Sequence, residues 1–331
     1  MKSYKIKGKL LEEIIFLSNT VEKSGKKAPD LIREYGNETT VKSWIDNLKK
    51  INEQSYHLEA DENAYSFLYE KKLSGKNIFV INFSEGLRGE DREAHMPSIL
   101  ELLGIPYLGG SPLNKSLVLH KAKAKEVFKA NNIPTANFLV AQNHLIDVDS
   151  LKFPVFMKPE HEGSSIGVGN YSKVENEKEL RENLKYMLNE FKQPILIEEF
   201  LSGKEYSIGL LGNELLPLIG KDYEGVANFQ SGDIKRTSAV KYISPAITNR
   251  SLENEMFSLA QKSFKVTDCR DIARIDFRLH EGKPYVLEIN APPGVSDGSS
   301  FWSSVVAKGY SRVEMIDKII SSAIKRYNET N

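Results

Sequence analysis

The sequence predicts a mixed α/β and α+β protein, in which a doubly wound N-terminal domain is followed by antiparallel sheets. The first part combines helical periodicity in TTVKSWIDNLKKI, at 39–51, with a short apolar strand at 77–83. After residue 151 the character changes, because β-rich runs follow one another in near succession. These runs are 154–158, 194–200, 205–211, 214–219, 273–279 and 284–290. Such an order is typical of antiparallel hairpins beside a separate α/β unit.

Helix signals separate these strands. A helix is predicted over 91–103, where apolar residues share one face and Gly104 then stops it. Ser111 and Pro112 are an N-cap and a first-turn proline, and they predict one helix that runs to about residue 130. Two more helices are predicted over 176–191 and 312–327. The N-terminal domain is therefore expected to end near residue 115.

Composition excludes several classes of partner. The chain has 331 residues, 27% of them charged, with a formal net charge of zero, so a nucleic acid or an anionic membrane is not expected. No apolar stretch approaches the roughly 20 residues that span a bilayer, and Glu12 and Glu13 interrupt the apolar run near the N-terminus. Cys269 is the only cysteine, and the six histidines show no metal-ligand spacing. We expect a cytoplasmic protein.

The segment ARIDFRLHEGKPYVLEIN predicts a hairpin that gathers polar side chains. If the chain turns around Gly282, Asp276 faces Glu288 and Arg274 faces Asn290. Opposed residues project to the same face of an antiparallel pair. The opposite face would then carry core residues, namely Ile275, Phe277, Leu287 and Ile289.

Two facing carboxylates repel each other unless a cation lies between them. Carboxylates with an Asn amide oxygen form the kind of oxygen set that Mg²⁺ prefers. The hairpin therefore predicts Asp276, Glu288 and Asn290 as metal ligands beside Arg274. A solvated polar face is the alternative, since alternation of this kind is common in antiparallel sheets.

A loop of small residues follows the strand at 154–158. In KPEHEGSSIGVG, Lys158 ends the strand, and Gly163, Ser164 and Ser165 offer backbone N–H groups and hydroxyls to a phosphate. The loop matches neither a Walker motif nor a dinucleotide fingerprint. Taken alone, such a loop is more often a flexible surface loop. Downstream, ILIEEFLSGKEYSIG places Glu198 and Glu205 around a Ser-Gly turn, where backbone and carboxylate groups can meet adenine and ribose.

Taken together, these segments resemble the D-alanine–D-alanine ligase group of ATP-grasp ligases. The matching segments cover roughly residues 77 to 331 in order: EGLRGEDREAHMPSILELLGIPYLGGS, LHKAKAKEVFKANNIPT, FPVFMKPEHEGSSIGV, LIEEFLSGKEYSIGLLGN and DIARIDFRL…GKPYVLEINAPPGVSDGSS. The resemblance implies an ATP-grasp fold of three domains: a Rossmann-like domain at 1–115, a small central α+β domain at 116–197 and a C-terminal α+β domain at 198–331. ATP would bind between the last two.

The resemblance also implies roles for individual residues. Lys121 and Lys158 match the lysines that hold ATP phosphates, and Glu162 to Ser165 match the loop that closes over them, with Ser164 near the reacting groups. The adenine hinge and the ribose acid correspond to Glu198, Glu199, Phe200, Leu201 and Glu205. Arg274 would steady the developing oxyanion, and Asp276, Glu288 and Asn290 would hold Mg²⁺, with two ions expected and Mn²⁺ able to substitute. The second substrate's carboxylate would contact Gly294 and Ser299.

The substrate half departs from the family pattern. Its motif for the first substrate's ammonium has no clear match; the nearest is NETTV at 37–41, which puts Thr40 where the acid belongs, with Glu38 as a weak substitute. The Lys-Tyr pair of the substrate loop is also unclear, since Lys235 and Arg236 are shifted and lack the tyrosine. A second lid is expected around 222–238.

We therefore expect an ATP-dependent ligase that joins a carboxylate to an amine through an acyl phosphate and releases ADP and phosphate. Its partners would be small amino-acid-like substrates, and relatives suggest a homodimer. Two alternatives stay open: an authentic D-alanine–D-alanine ligase of cell-wall synthesis with a divergent N-terminus, and a nucleotide-binding regulator without catalysis.

Overall fold

The computed structural model describes residues 3–22, 36–223, 240–246 and 249–329. Its strands are β1 (Lys5–Ile6), β2 (Lys9–Leu10), β3 (Glu13–Ser18), β4 (Ser55–Glu59), β5 (Ile78–Phe83), β6 (Tyr107–Leu108), β7 (Phe138–Ala141), β8 (Val155–Pro159), β9 (Lys173–Val174), β10 (Ile195–Glu199), β11 (Glu205–Leu211), β12 (Glu214–Leu215), β13 (Ile219–Asp222), β14 (Lys241–Ile243), β15 (Ile272–His280) and β16 (Lys283–Asn290). Its helices are α1 (Glu38–Lys49), α2 (Ala64–Leu73), α3 (His95–Leu102), α4 (Pro112–Leu119), α5 (Lys121–Ala130), α6 (Glu177–Phe191), α7 (Arg250–Val266), α8 (Ser300–Ala307) and α9 (Arg312–Glu329). Within these ranges the helices are too short or too polar to traverse a lipid bilayer.

The N-terminal sheet is parallel and covered on both faces. Its strand order is β4-β3-β5-β6, and every residue of β3 is buried, as expected for a strand between two helical layers. Phe16 packs in a core shared with Trp44 of α1 and with α9. Leu17 lies in a second core with Leu68 of α2 and Leu100 of α3. The predicted α/β opening is thus confirmed.

Apart from the short antiparallel pair of β1 and β2, the other described strands form two antiparallel sheets. The central sheet has the order β7-β10-β8-β9 and is covered by α6, which begins after the N-cap Asn176. The C-terminal sheet has the order β14-β13-β11-β15-β16. One face of it packs on α5 and α7 through Phe128 and Met256, and the other face packs on α8 through Phe301. The predicted α+β pattern is confirmed for this part of the chain.

The hairpin of β15 and β16 pairs Asp276 with Glu288 and Arg274 with Asn290, as predicted. The turn itself is centred half a residue earlier than assumed, because His280 pairs with Lys283. A register shift between Asp276 and Phe277 restores the expected pairing beyond it. The site pairs are therefore right because a β-bulge compensates for the displaced turn.

The bulge corrects one expected core residue. Leu287 is half-buried and lines the large cavity described below, whereas Val286 pairs with Phe277 and is fully buried in its place. An extra residue in one strand reverses the faces of the positions between the bulge and the turn.

The helix expected from 111 to about 130 is two helices. The backbone of His120 has φ −80° and ψ 89°, outside the helical region, so α4 ends before it and α5 begins after it. The run 214–219 is likewise divided, since Pro217 has no N–H to donate to a sheet. The short β12 and β13 lie on either side of it.

Several elements carry weak sequence signals and were not predicted: β4, β7, β14, α2, α7 and α8. The strand β4 reads SYHLE, which lacks the apolar run of its neighbours. Its pairing with β3 places it in the sheet. Long-range pairing of this kind overrides local preference, so periodicity alone does not find such strands.

Gly282 allows a direct test of the hairpin turn. Its φ is +77° and a Cβ there would meet no atom within 4 Å, so Gly282→Ala adds backbone strain without a clash. We expect a loss of about 1–2 kcal/mol in the free energy of unfolding, measured by urea denaturation. Gly298→Ala is the matched control, because that site is equally open and carries no positive φ. Equal stability of the two variants would contradict the turn geometry.

Candidate active site

A cavity of about 810 Å³ lies where the three sheets meet. Its wall includes every predicted nucleotide, metal and substrate residue except Lys235, which lies outside the described residues together with most of the predicted second lid. The sequence therefore predicted which residues come together, although the sequence separates them by up to 178 positions, from Lys121 to Ser299. The roles of these residues remain predictions.

Asp276 is the buried centre of the hairpin face. Arg274 donates to it from Nε (2.9 Å to Oδ1) and from Nη2 (2.7 Å to Oδ2), and Ser207 donates from Oγ at 2.5 Å. Asn290 adds Nδ2 at 3.3 Å from Oδ2. Burial alone would raise the pKa of Asp276, but Arg274 and Lys221 lower it to about 2. The carboxylate is therefore ionised at neutral pH.

Glu288 stands opposite Asp276 but has different surroundings. It is half-buried on the cavity wall, and the described residues include no hydrogen-bond or ion-pair partner for its carboxylate. Its charge raises the pKa of Lys158 and of Arg274. A carboxylate that lines a cavity with no direct partner among the described residues, beside a second carboxylate and an amide, fits the oxygen donors that Mg²⁺ takes. The residues present therefore fit the predicted metal.

Glu205 is held by two residues that sequence analysis missed. Lys221 of β13 donates to Oε1 at 2.5 Å and lies 3.8 Å from Asp276 Oδ1, and Tyr223 donates to Oε2 at 2.9 Å. Glu205 and Lys221 are direct partners across β11 and β13. Burial lowers the pKa of Lys221, but Asp276 and Glu205 raise it above its usual value. This buried lysine in the cavity wall was detectable only through strand pairing.

Glu198 bridges two buried lysines. Its Oε1 lies 2.8 Å from Lys158 Nζ, and its Oε2 lies 2.8 Å from Lys125 Nζ. Burial would raise the pKa of Glu198, but the two ammonium groups lower it to about 2. Lys125 also donates to Thr135 Oγ1 at 2.6 Å. Lys125 is a second lysine that the sequence analysis missed, one turn after Lys121 on α5.

The small-residue loop is strained where it meets the cavity. Ser164 and Ser165 have φ of 49° and 59°, the left-handed region that side chains rarely adopt. Lys121 donates to the backbone oxygen of Glu162. The Glu162 side chain accepts from Arg92 Nη2 at 3.0 Å and from Gln193 Nε2 at 2.8 Å. These contacts hold the start of the loop against α5 and against the N-terminal domain.

The N-terminal part of the chain lines the cavity mainly with uncharged residues, and its acids there are Glu85 and Glu93. Thr40 lines the cavity, and one turn later Trp44 stacks on Phe16 with ring centroids 4.8 Å apart. Glu38, the weak substitute for the missing acid, is exposed and lies outside the wall of the cavity. Glu85 does line the wall, and its position was not predicted from the sequence.

Gly294 and Ser299 lie on the loop after β16, on the cavity wall. Ser299 is the N-cap of α8, and its Oγ accepts from the backbone N–H of Trp302 at 3.1 Å. The first N–H groups of a helix favour an anion. This geometry suits the predicted contact with a substrate carboxylate.

Replacing Glu198 with Gln tests the buried charge cluster. At pH 7 we expect a loss of about 3–5 kcal/mol in the free energy of unfolding, because two buried lysines lose their shared counter-ion. The pKa of Glu198 falls from its usual 4.5 to about 2 on folding. The carboxylate therefore contributes its full stabilisation of the folded state at pH values above its unfolded pKa. The difference between wild type and variant should therefore narrow as pH drops from about 4.5 towards 2.

Glu199→Gln is the control for this measurement. The Glu199 carboxylate accepts hydrogen bonds from Asn137 Nδ2 at 3.1 Å and from the Lys152 backbone at 3.2 Å, and no described residue forms an ion pair with it. We expect it to cost about 1 kcal/mol or less in urea unfolding. Similar losses in both variants would argue against the buried triad.

Comparison with known proteins identifies the family. Residues 127–321 match the family model described as D-ala D-ala ligase C-terminus. The D-alanine–D-alanine ligase of Acetivibrio thermocellus is 33% identical over 276 residues, which cover 78% of this chain and 71% of that protein. The uncharacterized protein y4sG of Sinorhizobium fredii is 33% identical over 268 residues, 79% of each chain.

A solved structure agrees at the level of the fold. The D-alanine–D-alanine ligase of Bacillus anthracis complexed with ATP superposes with a TM-score of 0.75 at 22% identity, covering 96% of this chain and 100% of that one. The predicted ATP-grasp fold is thus confirmed. From the family match, the relatives and the cavity together, this chain belongs to the D-alanine–D-alanine ligase family of ATP-grasp enzymes and is an ATP-dependent ligase that forms amide bonds.

Proposed function

We propose that this enzyme joins the carboxylate of one amino-acid-like substrate to the amine of a second, with a pair that differs from two D-alanines or is selected less strictly. The observation that carries the proposal is the wall at Thr40. Thr40, the nearest match to the family's acid for the first substrate's ammonium, lines the cavity beside the stacked rings of Phe16 and Trp44. A neutral hydroxyl does not offset a buried positive charge as a carboxylate does.

The reaction proceeds in two displacements. A carboxylate oxygen of the first substrate bonds to the γ-phosphorus of ATP, the bond to the β-phosphate oxygen breaks, and ADP leaves. The amine nitrogen of the second substrate then bonds to the acyl carbon, and phosphate leaves with the electron pair of the carbon–oxygen bond. The amine gives up one proton. The intermediate hydrolyses in water, so a closed cavity is needed.

The roles of the phosphate and oxyanion groups follow from charge. Lys121, Lys158 and the loop from Glu162 to Ser165 bind the triphosphate, with Ser164 nearest the reacting groups. Arg274 stays protonated and can fork to the developing oxyanion. Its hold on Asp276 fixes the plane of the guanidinium. Lys221 joins this set, because its ammonium is buried within the same wall.

The adenine and ribose would lie along β10 and β11. Glu198, Glu199, Phe200 and Leu201 form the hinge segment on the cavity wall, and Glu205 is placed for the ribose. The side chain of Glu198 is committed to its two lysines. We therefore assign adenine recognition in this segment chiefly to backbone groups.

Mg²⁺ would be held by Asp276, Glu288 and Asn290, with two ions and with Mn²⁺ as a substitute. When bound, it supplies charge neutralisation of the triphosphate. Gly294, Ser299 and Lys235 are assigned to the second substrate. We add Glu85 as a candidate for the first substrate's amine, since it is an acid on the same cavity wall as Thr40.

The domain boundaries 1–115, 116–197 and 198–331 are part of the proposal, with ATP between the last two. The three sheets support this division, because each is built almost entirely within one of these ranges. A homodimer and a location in the cytoplasm, which contains ATP, are proposed by analogy with the family.

A second candidate is D-alanine–D-alanine ligase itself, which the names of the relatives favour. The third hypothesis, a regulator without catalysis, is disfavoured by family membership. It is also disfavoured by a cavity that keeps Arg274, Asp276 and Glu288 on one face.

Glu288→Gln tests the metal proposal. Loss of a ligand should lower turnover by more than about 100-fold, because loss of an outer-shell partner alone costs 10–100-fold. Stability should change little, since the described residues include no direct partner for this carboxylate. Turnover is read as ADP release against Mg²⁺ concentration. Glu281→Gln, at the exposed turn of the same hairpin, serves as control, and turnover at the wild-type level in Glu288→Gln would defeat the assignment.

A substrate panel tests the proposed function. Amino acids and hydroxy acids are supplied in pairs, and phosphate release and product mass are recorded. We expect at least one pair to exceed two D-alanines by about tenfold or more in kcat/KM, since a change of one group in a pocket is worth about 10–200-fold. If two D-alanines are the best pair, the second candidate is correct. If ATP binds but no pair releases ADP, the ligase assignment fails.

A further inference from the structure

A cluster of two histidines and two carboxylates lies beside the cavity and has no part in the reaction described above. His120 occupies the break between α4 and α5, and Glu160 and His161 follow β8 directly. The ligand atoms of these three residues all lie within 4.8 Å of one another. The imidazole rings of His120 and His161 have centroids 4.3 Å apart.

The orientation of His120 is set by an outer carboxylate. Its Nε2 lies 3.2 Å from Asp91 Oδ1, and its Nδ1 lies 3.5 Å from Glu160 Oε2. A neutral imidazole that donates Nε2–H to Asp91 presents a lone pair at Nδ1. Two acceptors, Nδ1 and Oε2, then face each other, and a cation between them removes the conflict. Outer carboxylates that orient a histidine in this way are the usual companions of metal ligands.

Glu160 is deeply buried, with 3% of its surface exposed. Its Oε1 accepts the backbone N–H of Ala122 at 2.9 Å, whereas Oε2 has no well-formed hydrogen bond and lies against His161 Nε2. Glu160 Oε2 therefore points at both rings.

We propose that His120, Glu160 and His161 bind a divalent transition-metal ion of the Zn²⁺ type, with Asp91 positioning His120. Two imidazole nitrogens and a carboxylate oxygen are ligands that Zn²⁺ takes, whereas Mg²⁺ takes oxygen. Bond lengths of about 2.0–2.2 Å in a tetrahedron put ligand atoms about 3.4 Å apart, close to the 3.5 Å between His120 Nδ1 and Glu160 Oε2. The His161 ring lies nearer and would have to move outward.

The site is separate from the oxygen ligands on the hairpin but is linked to the phosphate loop. His120 directly precedes Lys121, and His161 directly precedes Glu162. Arg92 donates to the backbone oxygen of His161 at 2.9 Å. The imidazole ring takes no part in this contact and lies against Glu160. A bound ion would therefore tie the start of α5 to the start of the loop that carries Ser164 and Ser165.

Titration with Zn²⁺ by calorimetry, without nucleotide, tests the proposal. The protein is prepared without a polyhistidine tag and is first freed of metal. Excess Mg²⁺ is present to occupy the oxygen ligands of the hairpin. We expect one Zn²⁺ per chain. Co²⁺ in its place should give the visible absorption of a tetrahedral nitrogen-and-oxygen site. Absence of stoichiometric Zn²⁺ binding under these conditions would mean that a proton, not a metal, joins Glu160 to the rings, and it would overturn the proposal.

Variants locate the site. His120→Ala, His161→Ala and Glu160→Gln should each weaken Zn²⁺ binding more than about 100-fold, and Asp91→Asn by about 10–100-fold as an outer partner. His95→Ala, an exposed histidine nearby in sequence, should bind as wild type. Thermal melting of each metal-free variant verifies that it is folded. Asp91 is exposed, so Asp91→Asn still tests the site if a variant at a buried position unfolds. Unchanged affinity in Asp91→Asn and in the folded variants among the other three would place the metal elsewhere.

Discussion

The register of the hairpin between β15 and β16 is the constraint on which the rest of the site depends. Side chains of a strand alternate between faces, so a slip of one residue would turn Asp276 or Glu288 into the core. The bulge near Leu287 sets this register against a turn that would otherwise misalign it. Arg274 lies two residues from Asp276, and Asn290 two residues from Glu288, so the same register brings all four side chains to one face. Bulges often stand next to active sites, where they redirect a side chain.

Buried charges on the cavity wall are balanced within the protein. Glu198 is shared by Lys125 and Lys158, and Glu205 is held by Lys221. Burial opposes the charge of each lysine, yet the pKa of Lys158 and of Lys221 is raised by the neighbouring carboxylates. Both ammonium groups are therefore charged before any ligand enters. A site arranged in advance in this way loses little free energy to reorganisation during the reaction.

The two halves of the cavity differ in how they are built. The half proposed for the nucleotide takes its acids from paired strands, and Lys121 of α5 and the loop at 162–165 complete it. The half proposed for the substrates combines Thr40 and Trp44 of α1 with loop residues such as Gly294. Loops and helix ends accept substitution more readily than central strands.

Local patterns in the chain were sufficient for the class of fold and the hairpin face, and the resemblance to a ligase family supplied most residues of the cavity wall. Alternation, glycine-rich turns and helix caps act over a few residues, and they are legible in the letters of ARIDFRLHEGKPYVLEIN. The break at His120, the bulge at Leu287 and the exchange of Leu287 for Val286 in the core came from packing between distant segments. So did the roles of Lys125 and Lys221 as counter-ions, and the meeting of His120 with His161. Contacts of this kind depend on strand pairing and burial between residues far apart in the chain, which no local spacing encodes.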